Sequence, residues 1–142
     1  MADTILSRHS IAIAPFHAVM VAGSVTLFLG AVLTDTAYAR SYEIQWINFS
    51  SWLIVGGLAL AGIALLFASF DLVRAGRRAR ATLLYAAVLL AAWVVGFFNA
   101  LMHARDAFAS MPTGLVLSIV TAALACIAAW LGFRGSRMGA KP

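Results

Sequence analysis

The chain has 142 residues, 63% of them hydrophobic and only 11% charged, with a mean hydropathy of +0.96. Soluble domains are roughly 45–50% apolar and about 25% charged, so this composition excludes one and points to a single membrane domain over residues 1–142. The net charge of +5 would suit a nucleic-acid partner in a soluble chain, but here the basic residues set orientation in the bilayer and no nucleic acid is expected.

Four apolar segments follow one another, at about 11–34, 47–73, 81–103 and 112–133. Each approaches or exceeds the roughly 20 residues that carry a helix across about 30 Å of hydrocarbon. The pieces between them, 35–46, 74–80 and 104–111, are short, so consecutive helices run antiparallel. The expected fold is an all-α integral membrane four-helix bundle, up-down-up-down. Ala37-Tyr38-Ala39 imitates a signal-peptidase site, but the apolar run before it is too long and Asp3 weakens the basic start, so the first segment reads as a retained helix. The lone Cys126 allows neither an internal disulfide nor a zinc site and is expected to be a small packing residue.

Lys and Arg fix the orientation. Arg8, Arg74, Arg77, Arg78, Arg80, Arg134, Arg137 and Lys141 fall on one side, and only Arg40 and Arg105 on the other. Positive residues stay inside, so both termini are expected in the cytoplasm of a multi-pass protein of the bacterial inner membrane. Trp46, Trp52, Tyr38 and Tyr42 then fit the outer aromatic belt, and Trp130 the inner one.

Helical spacing assigns faces. His17, Val21, Ser24, Phe28 and Asp35 share a stripe of the first segment. In the second, Gly57, Ala61, Ala64 and Ala68 form a small-residue stripe ending at Asp71, with Trp52, Ala59, Ile63, Leu66 and Phe70 on another side. Small residues let backbones approach, so the Gly/Ala stripe should face other helices and Asp71 should point into the bundle. In the third, Ala92 and Gly96 lead to Asn99, His103 and Asp106 on one face. Two polar layers result. The inner is the pair His17 and Asp71, with Arg74 nearby; the outer is Asp35, Tyr38, Asn99, His103, Arg105 and Asp106, with Arg40 and Glu43 within reach. Ionisable groups at membrane depth are costly unless paired and mark candidate sites; the plainer account is that these cap helix ends and pair with one another.

So placed, the residues resemble the bacterial membrane family known as domain of unknown function 2231. The matching pieces are Pro15-Phe16-His17 at the start of the first helix and Thr34, Asp35, Tyr38 and Arg40 at its end. Asn48, Trp52, Asp71, Asn99, His103, Arg105, Asp106, Pro112, Gly114, Ser118, Trp130 and Gly132 continue the match, from about residue 14 to 133. One departure is local: the proline precedes His17, and Ala18 follows it. The resemblance implies a four-helix membrane protein without an assigned activity. Its relatives occur beside Rieske-type and quinoprotein dehydrogenase domains, which implies an electron-transfer setting.

Three readings compete. The first is a small membrane subunit or anchor that docks an outward-facing partner, a redox enzyme being one such. The second is an electron-transfer protein that binds b-type haem or interacts with quinone. Haem needs two axial ligands at one depth, whereas His17 and His103 stand about 25 Å apart at roughly 1.5 Å per residue. His17 would need His9, Met20 or a second copy; His103 would need Met102, Met111 or a partner chain. The third is a proton relay or small transporter, for which the midplane offers little beyond Ser24. No catalytic set is evident, since Ser110 and Ser118 lack nucleophile–base spacing, and the expectation is no cofactor and no metal. The bilayer is the first partner, and a homo-oligomer is compatible with all three readings.

Overall fold

The computed structural model describes residues 2–74 and 79–138, with side chains for 15–74 and 80–134. The link at 75–78 lies outside the described residues, as do the side chains of Arg8, His9, Arg77, Arg78, Arg137 and Lys141. Four long helices, α1 (Ala2–Ser41), α2 (Ile44–Arg74), α3 (Ala79–His103) and α5 (Thr113–Met138), are joined by a short α4 (Ala107–Ser110). Each long helix contains a stretch able to cross a membrane: Pro15–Ser41, Ile44–Arg74, Arg80–His103 and Thr113–Arg134. The all-α four-helix bundle is therefore as the composition requires.

The helices stand in a ring, α1 against α2, α2 against α3, α3 against α5, and α5 closing on α1. The α1–α2 turn and α4 lie at one end, called here the turn end, and the start of α1 and the end of α5 at the other, the terminal end. In this arrangement α1 and α3 face each other along a diagonal, so contacts between them cross the bundle centre.

The stripes read from helical spacing are the buried ones. Val21, Ser24, Phe28, Ala31, Asp35 and Tyr38 line the inside of α1, and Gly57, Ala61, Ala64 and Ala68 the inside of α2. Trp52, Ala59, Ile63, Leu66 and Phe70 are exposed, as a lipid-facing side should be. Two glycines explain the close fit. A Cβ on Gly57 would stand 2.6 Å from the Phe28 ring, and one on Gly96 would meet Leu58 and Thr121 at 3.1 and 3.2 Å. Phe28, 1% exposed, fills the space that Gly57 leaves open.

Four expectations change. The stretch 35–41 is helix, not loop, and the first link shrinks to Tyr42 and Glu43. Ala37 and Ala39 favour helix, and α1 stops where Tyr42 turns left-handed (φ 57°) and its N–H donates to the Tyr38 carbonyl at 2.8 Å, closing the helix end. Tyr38 is consequently buried and not part of an aromatic belt. Asp71, in the last turn of α2, is exposed. Cys126 is likewise exposed, on the outer side of α5.

Candidate functional site

Asp35 is the centre of the turn end. It is wholly enclosed, at 0% exposure, six residues before α1 ends. Its Oδ1 lies 2.9 Å from His103 Nε2 on the diagonally opposite α3, and its Oδ2 accepts the Ser118 hydroxyl of α5 at 2.5 Å. Ser118 Oγ in turn accepts from Asn99 Nδ2 at 2.8 Å. Ser50 of α2 approaches His103 Nε2 at 3.4 Å and donates to the Ala31 carbonyl at 3.4 Å. All four long helices thus contribute a side chain to one buried network.

The proton inventory follows from acceptor chemistry. His103 Nδ1 lies 3.0 Å from the Asn99 backbone carbonyl, which can only accept, so Nδ1 carries a hydrogen. One further proton lies between Nε2 and Asp35 Oδ1. Whether it sits on nitrogen or oxygen, the pair carries no net charge, which is the condition for burying two ionisable groups in a low-dielectric interior. The ring is also fixed sterically, since a Cβ on Gly114 would fall 2.9 Å from His103 Cε1. Two buried polar atoms in this region have no hydrogen-bond partner among the described residues, the Tyr38 hydroxyl and Asn99 Oδ1.

Of the outer cluster, then, the structure joins Asp35, Asn99 and His103 and separates the rest. The helix ends at His103, so the one-face spacing does not reach Asp106. Asp106 instead caps α4, accepting the Phe108 N–H at 3.0 Å, and both it and Arg105 are exposed. Arg40 and Glu43 are exposed as well. Tyr38, enclosed one turn beyond Asp35, lines a cleft of about 360 Å³ with Tyr42, Phe108, Met111 and Leu115.

At the terminal end His17 meets Tyr85, its Nε2 2.5 Å from the hydroxyl. The hydrogen-bond partner of His17 is Tyr85 of α3, while the Asp71 carboxylate, exposed at the end of α2, acts electrostatically on both. Phe67 stands beside the imidazole at a centroid distance of 5.9 Å. Arg134 lies over Trp130, 4.6 Å from its ring centre, a cation–π contact suited to the interface. Histidine, cysteine and carboxylates form no metal-binding group of three among the described residues.

Spacing alone missed Tyr85, Ser118 and Ser50 as members of these sites; Tyr85 and Ser118 nevertheless stand on buried lines. Tyr85, Leu89, Ala92, Gly96, Asn99 and His103 are one buried line on α3, and Gly114, Ser118, Thr121, Ala125 and Ala128 one on α5.

Comparison with curated proteins and with solved structures yields no match. A family model described as "Predicted membrane protein (DUF2231)" matches residues 13–138, nearly the whole chain. The four spans and this match agree, and the chain belongs to the DUF2231 family of predicted membrane proteins.

Proposed function

We propose that this protein is a small subunit of the bacterial inner membrane, termini in the cytoplasm, that docks an outward-facing partner at its turn end. One observation carries the reading: at that end the groups able to do chemistry turn inward onto one another, while Arg40, Glu43, Arg105, Tyr42 and Phe108 turn outward. A surface held rigid by an internal network and faced with mixed charge and aromatic rings suits recognition of another protein better than turnover. The company of redox domains in the family favours a redox enzyme as that partner. His103 is poorly placed for a haem iron, because both its ring nitrogens are already engaged.

Photo-crosslinking in native membranes tests the reading. A crosslinking residue at Arg105 should give a discrete adduct that disappears when Arg40 and Glu43 are reversed in charge. The same probe at lipid-facing Leu66 should give none. Equal adducts at both positions, or an adduct indifferent to charge reversal, would refute docking at this face.

A further inference from the structure

The cleft beside the buried network has the features of a ligand site independent of any protein partner. Its volume, about 360 Å³, falls within the range of small-molecule pockets. Its walls come from the end of α1, from α4, from the link at 111–112 and from the first turn of α5, so it opens where the membrane spans end. Tyr42 and Phe108 stack with centroids 6.3 Å apart and planes 19° from parallel, and Tyr38 meets Tyr42 edge-on at 6.2 Å. Tyr42 and Phe108 are 65% and 70% exposed, free to part around an incoming ring. The Tyr38 hydroxyl, in a side chain 1% exposed that lines this cleft, has no hydrogen-bond partner among the described residues. A buried hydroxyl without a partner is costly, and a ligand oxygen would satisfy it.

We infer that this cleft binds the headgroup of a membrane-dissolved quinone, its ring against Phe108 and Tyr42 and one carbonyl oxygen accepting from the Tyr38 hydroxyl. A planar ring suits the aromatic walls, a carbonyl suits the lone donor, and an apolar tail suits an opening at the bilayer edge. No electron transfer is required of the site; the claim is one of binding.

The test is equilibrium binding of decyl-benzoquinone to the full chain in nanodiscs, measured against partition into empty nanodiscs. The intact protein should bind one equivalent saturably. Tyr38→Phe should weaken binding about tenfold, the effect of one hydrogen bond. Phe108→Ala, a change at an exposed position, should remove saturation, and Leu66→Ala should change nothing. A decyl-cyclohexane probe, lacking carbonyls, should not distinguish Tyr38→Phe from the intact protein. Uptake no greater than that of empty nanodiscs, or saturable binding unaffected by Phe108→Ala, would overturn the inference whatever the crosslinking at Arg105 shows.

Discussion

The two ends of the bundle solve one problem with different thoroughness. Each places a histidine on the α1–α3 diagonal, His103 against Asp35 at the turn end and His17 against Tyr85 at the terminal end. At the turn end four helices converge, both nitrogens of the imidazole are bound, and Asp35 and Ser118 are at most 1% exposed. At the terminal end the described hydrogen bond to His17 comes from α3 alone, Phe67 of α2 contributing only a ring contact, and His17 is only half-buried. The lesson is that burial depth follows the number of helices contributing partners. An ionisable pair can be sealed into the bundle only where every remaining lone pair and proton is met. The terminal end is rimmed by exposed Arg74, Arg80 and Arg134.

The comparison can be broken most forcefully at Asp35. Asp35→Ala leaves His103 Nε2 and the Ser118 hydroxyl without their partner, and should cost about 3–5 kcal/mol in reversible unfolding from detergent micelles. A loss as small as that at the other end would erase the distinction. Next comes Gly114→Ala. The added methyl would press on an imidazole held at both nitrogens, which cannot swing away, so about 1–3 kcal/mol should be lost. Gly62→Ala, whose Cβ would stand 3.3 Å from Trp93, should cost less. At the terminal end Tyr85→Phe removes one partly exposed hydrogen bond and should cost about 1 kcal/mol or less. The smallest effect belongs to Asp106→Ala, which removes the cap of a four-residue helix; about 0.5–1 kcal/mol is expected, seen as fraying at 107–110 by amide exchange.

Much of this arrangement is legible in the residues. The four spans follow from composition and length, and the inward stripes of α1 and α2 from the placing of Gly, Ala and Phe28. Asp35, Asn99 and His103 could be grouped because ionisable and amide side chains on a small-residue stripe have nowhere to go but inward. What resisted reading depended on lengths and ends. That α1 runs to Ser41, burying Tyr38, rests on a left-handed Tyr42, for which no glycine gives notice. That α3 stops at His103 turns Asp106 from a member of the cluster into a cap. That Tyr85 reaches His17 from across the bundle is set by packing between helices distant in sequence. Serines 50 and 118 gave little signal, since a hydroxyl in a membrane helix can as easily return to its own backbone, as Ser24 does to Val21 at 2.8 Å.

The central claim is that the Asp35–His103 pair is embedded in one cooperative network and the His17–Tyr85 pair is not, and a pair of double-mutant cycles measures this directly. In the Asp35→Ala, His103→Ala cycle the account predicts a coupling of about 2–3 kcal/mol, because either change alone orphans the other member of the pair and the double change orphans neither. In the His17→Ala, Tyr85→Phe cycle it predicts about 1 kcal/mol or less. Near-additive losses for Asp35 and His103, or equal couplings at the two ends, would contradict it.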